Sequence, residues 1–319
     1  MKNTLTFDLH THLNEKKINP SKYWDAAKAR ALDAIAITEH AHYEPEDAYL
    51  KLLEEKPKNI ALIPGIELNT NIGHVVAYGK NKTIYNIPEF LEWNLKIDDA
   101  IEIAKEKEIS LSVAHPWSLS YDSAAYIYGE RKLRKLIKEH ELGVEIYNGM
   151  IGQLSNFIYD TNWIKKPINF FEFIEKNRVA KKMRLSKLGT KLKNKLNEKG
   201  GEVLQRCAKA IELGSEACFV TAGSDAHYPE RIGSGIIKMR WGNENLNPEN
   251  VLQSLKRKED VVWFGPYVIE KENGEFEKTD ESLTKTEVFQ GVKYAGKKFL
   301  IDTPIKKVRK IRHRTDSES

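Results

Sequence analysis

The sequence predicts an α/β fold, a barrel or a doubly wound sheet of mostly parallel strands, and three observations predict it. Short apolar runs alternate with helix-type runs along much of the 319 residues. Most of these runs are continuously apolar, the pattern of strands covered on both faces. Imidazoles and carboxylates gather where the runs end, and the carboxyl ends of parallel strands are where such folds place their ligands.

The first strand is expected over Leu5–Leu9, and the first helix over Pro20–Leu32, where Asn19 serves as N-cap ahead of a proline in the first turn. Strands follow at Ala34–Thr38, Ala61–Leu68 and Val75–Tyr78, then a helix at Asp98–Lys107 and strands at Leu111–Ala114 and Val144–Tyr147. A helix over Gly201–Leu213, closed by Gly214, leads into a strand at Cys218–Ala222, and Val261–Phe264 reads as a last strand. About seventy residues separate the Val144 strand from the Cys218 strand, far more than a crossover needs, so an insertion is expected there. It opens with Phe157, Tyr159, Trp163, Phe170, Phe171 and Phe173, and continues into a basic amphipathic helix marked by Leu185, Leu188, Leu192 and Leu196. Those aromatics read either as the insertion's own core or as a platform for bases. The chain divides accordingly into a first part of the barrel at 1–148, the insertion at 149–200, the last part of the barrel at 201–265, and a C-terminal extension with a basic tail at 266–319.

With 40% hydrophobic and 30% charged residues the chain can bury a core, and disorder throughout is excluded. No stretch approaches the roughly 18 apolar residues of a membrane span, and the first ten residues lack the apolar core of a signal peptide. A cytoplasmic protein without a membrane partner is expected; the oligomeric state is not legible. Cys207 and Cys218 read as two buried thiols, since their spacing supports neither a disulfide framework nor a cysteine zinc site. The net charge of +5 is unevenly spread. Lys176–Lys199 carries +9 and Lys306–Arg314 carries +6, which leaves 35 basic against 45 acidic residues elsewhere, or −10. These two segments read as a footprint for nucleic acid or, alternatively, as a solvated helix face and a tail.

Seven of the nine histidines fall at or just beyond a strand end or in the turn before the next strand. Asp8-Leu9-His10-Thr11-His12 ends the first strand, Thr38-Glu39-His40 the second, and Gly65-Ile66-Glu67 lies in the third. Gly73-His74, Ala114-His115-Pro116 and Gly223-Ser224-Asp225-Ala226-His227 follow. Any one of these is weak alone, because a single histidine at a strand end is commonly a hydrogen-bonded core residue. Six such pieces at one edge point to a metal site for a hard-to-borderline divalent ion, since thiolate is absent. Eight candidates (His10, His12, His40, Glu67, His74, His115, Asp225 and His227) exceed what one tetrahedral ion uses, so two or three ions of manganese, zinc or iron are expected.

In these motifs the chain resembles the polymerase and histidinol phosphatase (PHP) family, whose pattern reads approximately DLHxH, TDH, GxE, H, AHP and GSDAH, in that order from Asp8 to His227. The resemblance implies a distorted (β/α)7 PHP-type barrel, with the insertion between the Val144 and Cys218 strands, and a trinuclear metal centre with phosphoesterase activity. It implies that His10, His12, Glu67 and Asp225 hold one ion, that Glu67 bridges to a second held by His74 and His115, and that His40 and His227 hold a third. Two departures stand out. Glu39 replaces the family's usual Asp, and the loop after the first motif is shorter, with Glu15 the nearest acidic residue for the third ion. Without Glu15 the centre is binuclear.

The implied chemistry is in-line attack on phosphorus by a metal-bound hydroxide, with Asp225 or His227 managing the proton and Arg231 clamping the phosphate. Glu145 and Asn148 end another strand at the same rim and are expected to orient the ligands from behind. The substrate class expected is nucleic acid or oligonucleotide, on account of the basic segments. The alternatives are a small-metabolite phosphomonoesterase of histidinol-phosphatase type and a non-catalytic scaffold or nucleic-acid-binding module. An amidohydrolase-type barrel is a third possibility; it would need a bridging lysine where this chain offers Glu67.

Overall fold

The computed structural model describes residues 4–118, 122–153, 205–242, 244–271 and 276–278. They belong to one compact unit drawn from 1–153 and 201–279. Of the expected insertion at 149–200 only 149–153 are described, as helix; its aromatic and basic halves, and the tail Lys306–Arg314, lie outside the described residues.

Nine strands form one sheet: β1 (Thr4–Thr11), β2 (Ala34–Ile37), β3 (Ala61–Thr70), β4 (Gly73–Tyr78), β5 (Ser110–Val113), β6 (Gly143–Asn148), β7 (Val220–Gly223), β8 (Ile236–Arg240) and β9 (Val261–Phe264). β1 through β7 are neighbours in chain order, and the ring nearly closes where β7 returns to β1. There Asp225 N donates to His10 O (2.7 Å), His12 N to Ala226 O (3.0 Å), and Ser224 N to the Asp8 carboxylate (2.9 Å). The sheet is thus a distorted barrel, as the sequence leads one to expect. A further pair, β10 (Val268–Glu270) and β11 (Phe276–Lys278), lies in the charged stretch that the pattern left unread.

The barrel is not a uniform repeat of strand and helix. β3 changes partner halfway: Ala61–Pro64 runs parallel to β2, and Gly65–Thr70 runs antiparallel to β4. Pro64, which has no N–H to give a ladder, sits at the changeover. β3 and β4 are joined by a tight hairpin turn at Asn71-Ile72 with no helix between them, and Gly73 takes φ +117° there. β8, which sequence reading missed, runs antiparallel to the first half of β1.

Helices cover the outside. α1 (Pro20–Ala29) begins as expected, with the Asn19 side chain accepting from Lys22 N, a cap worth about 1 kcal/mol. It ends three residues sooner than the pattern suggests, and buries Tyr23, Trp24 and Ala27 against the sheet. α2 (Pro45–Glu54), α3 (Ile97–Glu106) and α4 (Glu130–His140) follow. Another helix spans residues 205–216 and runs past Gly214, which was expected to end it. A Cβ at Gly214 would run into the Ile146 side chain, so this glycine serves close packing of helix on β6 instead. Cys207 is buried but Cys218 is only partly so, at the bend before β7, which corrects the expectation of two buried thiols. No described helix is long and apolar enough to cross a membrane.

The barrel interior is filled on one side of the ring by side chains that tie distant strands. Tyr78 of β4 donates to Leu9 O of β1 across 2.9 Å, and Ser112 of β5 meets Thr221 of β7 at 3.0 Å. The carboxyl end of the ring is lined instead by ionisable groups.

Candidate metal centre

Each motif contributes from a different strand end. β1 brings His10 and His12, which alternate with Thr11, so both imidazoles share one face of the strand. Their partner Asp8, two residues earlier on that face, is wholly buried and accepts from Ser224 N, Gly233 N (2.8 Å) and His10 N. Burial pushes its carboxyl up to about 6 despite those bonds.

Glu67 stands at the middle. One carboxylate oxygen, Oε1, lies 2.8 Å from His74 Nδ1 and 3.0 Å from His115 Nε2. The other, Oε2, lies 2.9 Å from His40 Nδ1 and 3.4 Å from both His10 Nε2 and His12 Nε2. Five imidazoles therefore converge on one buried carboxylate. Asp225 faces the same point, its Oδ1 3.2 Å from His12 Nε2 and 3.9 Å from His10 Nε2. The rings crowd one another: His12 lies 4.6 Å from His40 and 4.4 Å from His227, centroid to centroid.

Glu15 joins this group. Its Oε2 lies 2.7 Å from His227 Nε2 and 3.5 Å from His40 Nε2, and its other oxygen meets Lys16 Nζ. His227 Nδ1 lies 2.9 Å from the Asp225 carbonyl, which can only accept, so that nitrogen carries the ring proton. Burial depresses the His227 pKa to about 4, leaving the ring neutral, so its Nε2 lone pair and the Glu15 carboxylate face each other. Two donors aimed at each other suit a shared cation.

The chemistry of the set fits divalent ions on a second count. His10 Nε2, His12 Nε2, Glu67 Oε2 and His115 Nδ1 are buried atoms with no hydrogen bond of acceptable geometry. Leaving such groups unsatisfied costs about 1–3 kcal/mol each, and three of them point into one space, so a cation is the economical partner. Four triads have ligand atoms all within 4.8 Å of one another: His12/His40/His227, His10/His12/Glu67, His10/His115/Asp225 and His40/Glu67/His74.

The residues behind the ligands set their orientation. Glu145 Oε1 lies 3.0 Å from His10 Nδ1, and its Oε2 accepts from His115 N (2.7 Å) and Asn148 Nδ2 (3.1 Å). The Asn148 amide is itself oriented, because its Oδ1 accepts from Met150 N and Ile151 N, and its Nδ2 reaches Asp225 Oδ2 at 3.3 Å. Glu39 does the corresponding work for His12. It meets His12 Nδ1 at 3.3 Å and accepts from Leu13 N (2.8 Å) and Asn14 N (2.5 Å), which shapes the loop that presents Glu15. The resemblance implies a supporting, non-chelating residue at this position; the bonds to Leu13 N and Asn14 N were not legible.

Burial opposes charge on all these groups, yet the carboxylates win. Desolvation would lower His12 and His115, but the carboxylates of Asp225, Glu39 and Glu67 around His12, and of Glu67, Asp122 and Asp225 around His115, raise both to about 9, and Glu145 and Glu67 raise His10 well above its usual value. Burial would raise Glu67 and Asp225, but the imidazoles around them hold both well below the usual carboxylate range. His40 goes the other way, desolvated to about 4. Asp225 (φ 52°) and His115 (φ 27°) also adopt left-handed backbone that non-glycine residues rarely take, and the surrounding hydrogen bonds hold them there.

Arg231 lies in a short turn at Pro229–Arg231, only 9% exposed, with its guanidinium 5.9 Å from the centroid of the Tyr228 ring. Lys16, which sequence reading passed over, is the cation in contact with Glu15.

No protein-family model matches this sequence, and no curated protein does. Solved structures do. A two-domain protein from Bacteroides vulgatus, described as containing a predicted PHP-like metal-dependent phosphoesterase, superposes with a TM-score of 0.52 at 17% identity, over 82% of this chain and 65% of that one. This chain therefore spans less than two thirds of that protein's length. PsfC from Pseudomonas syringae follows, with a TM-score of 0.48 at 14% identity over 92% and 98% of the two chains. A proposed metal-dependent phosphoesterase from Bifidobacterium adolescentis matches with a TM-score of 0.41 at 10% identity, over 78% and 94%. The first of these likenesses establishes a shared fold.

Proposed function

We propose that this chain, a barrel of PHP type, is a metal-dependent phosphoesterase that hydrolyses phosphate esters of nucleotides or oligonucleotides. One observation carries the reading: five imidazoles converge on Glu67, with Asp225, His227 and Glu15 completing a set of nitrogen and oxygen donors that exceeds one ion's needs. We assign His10, His12, Glu67 and Asp225 to one ion, Glu67, His74 and His115 to a second, and His40, His227 and Glu15 to a third. Ions so held supply Lewis acidity toward a phosphoryl group and lower the pKa of water.

The chain's own residues do the rest. Glu145 and Glu39 fix the tautomers of His10 and His12, so that their Nε2 lone pairs face inward. Hydrolysis joins a water oxygen to phosphorus and breaks the ester P–O bond; the water's proton needs an acceptor and the leaving oxygen a donor. That proton is assigned to His227, a neutral ring with its Nδ1–H on the Asp225 carbonyl, or to Asp225, whose Oδ2 Asn148 holds; either would return it to the leaving oxygen. Phosphate clamping is assigned to Arg231, in the turn just beyond His227, with Lys16 beside Glu15 a second cation for the same role. Nucleic acid as the substrate class is supported by the +9 and +6 segments, which a small-metabolite enzyme has little use for.

The test is hydrolysis by protein loaded with Mn²⁺ or Zn²⁺, over phosphomonoesters, phosphodiesters and labelled oligonucleotides, beside a His10→Ala control. Turnover that chelator and His10→Ala abolish supports the reading. Protein that binds its ions and cleaves no phosphate ester overturns it.

A further inference from the structure

Beside the candidate centre the surface carries an aromatic shelf. His42 is exposed and lies two residues past the candidate ligand His40, with the two rings stacked at 5.6 Å and 23°. Tyr43 packs against His42 at 4.2 Å and is 37% exposed. Trp93, from a turn far away in the chain, stands edge-on to His42 at 6.0 Å and is 72% exposed. An exposed tryptophan of this degree is unusual, since its large apolar face gains most by burial.

Both turns that carry the shelf are pinned. Asn14 Nδ2 donates to Tyr43 O and Glu44 O (3.1 Å each) and to Asp47, which ties the His42-Tyr43 turn to the loop bearing Glu15. On the other side Asn69 Oδ1 accepts from Asn94 N (3.2 Å), and Leu95 N donates to Asn69 O (3.0 Å), fixing the Trp93 turn to the end of β3. The rings are therefore held in place although solvent covers them. The structure spends hydrogen bonds on displaying aromatic faces that its own core does not use.

We propose that this shelf stacks the base of a nucleotide whose phosphate sits at the metal centre. The inference rests on the phosphoesterase reading and extends it to the substrate's ring. Three features select a base over another occupant. The shelf is continuous with the centre through the His40–His42 stack, so a ring lying on it belongs to the same ligand as the phosphate. A planar ring with exposed edges suits aromatic side chains that offer faces and no fixed hydrogen-bond pattern. The charge segregation in the sequence favours a polyanionic partner whose monomers carry such rings.

The experiment uses the full chain loaded with Mn²⁺ and three phosphonates that cannot be hydrolysed as esters: methylphosphonate, phenylphosphonate and an adenosine 5′-phosphonate. Binding is measured by calorimetry and by quenching of tryptophan fluorescence. Trp93→Ala is expected to weaken the adenosine compound about 5- to 140-fold, from the usual worth of one stacked base, and to leave methylphosphonate unchanged. Trp93→Phe should restore most of the affinity and lack the quenching. Because Trp93 is largely exposed, neither variant removes core packing. Unchanged affinity for the adenosine compound in Trp93→Ala, with methylphosphonate still bound, would overturn the shelf and leave the phosphoesterase reading standing. Phenylphosphonate binding as tightly as the adenosine compound would overturn the assignment to a base. Failure of all three to bind metal-loaded protein would overturn both readings.

Discussion

Replacing Glu145 by Gln isolates how much a residue behind the ligands contributes to the centre. The carboxylate satisfies three donors with two oxygens: His10 Nδ1 at 3.0 Å on one side, His115 N at 2.7 Å and Asn148 Nδ2 at 3.1 Å on the other. Glutamine offers one oxygen. If that oxygen turns to His115 N and Asn148, the new NH₂ faces His10 Nδ1, which must then accept, and the ring proton moves to Nε2. There it points at Glu67 and Asp225 and removes the lone pair an ion would take. A change of this kind lowers metal affinity about 10- to 100-fold, or about 1.4–2.7 kcal/mol. If the oxygen turns to His10 instead, the NH₂ meets the buried N–H of His115, and the cost of about 1–3 kcal/mol falls on folding. Metal affinity by chelator competition and stability by urea unfolding, measured together, therefore read the same defect. A variant that matches the parent within twofold in affinity and within 0.5 kcal/mol in stability, the ordinary range of a neutral substitution, would refute the tautomer argument.

Three further outcomes follow from the same geometry. Glu15→Gln should lose one metal ion per chain by elemental analysis and keep the others, because only the set at His40 and His227 depends on it; an unchanged count would refute the assignment. In metal-free protein His12 and His115 are raised to about 9, so their stabilising charge is fully present below pH 6.5 and is lost as pH rises through 9, while metal, which needs the neutral rings, binds more tightly over the same window. Unfolding with and without Mn²⁺ from pH 6 to 9 should show the two stability curves diverging, with proton release in calorimetry. Gly223→Ala should cost about 1–3 kcal/mol and lower metal content, since its Cβ would meet the His10 backbone and Cβ where β7 abuts β1; denaturation and metal analysis check it.

Most strands were legible because they are buried on both faces and so read as nearly unbroken apolar runs; β2, Ala34–Ile37, is the plainest case, while β9 was read from its apolar residues although two of the four are exposed. β8 escaped because its buried positions are interrupted by exposed Lys238 and Arg240, whereas both strands of the β3–β4 hairpin were read and only their antiparallel pairing was not. At the centre, ligand-type residues announced themselves through chemistry and position. What stayed hidden was second-order: Glu39 shaping a loop, Lys16 meeting Glu15, and Trp93 arriving from a remote turn to meet His42. Periodicity reports which face of an element is wet, and it says nothing of where a surface turn from another part of the chain comes to rest.

The seam that nearly closes the ring is stitched by the backbone of His10, His12, Asp225 and Ala226, so the two ends of a long stretch of chain meet where the donors do. A nascent polypeptide holds His10, His12, His40 and Glu67 early, yet it lacks the final carboxylate and imidazole until residue 227 has been made. On the proposed assignment loading would therefore be a late event in the life of the molecule, and each ion taken up would work as a rivet across the last joint, so that starvation for metal would loosen the shell.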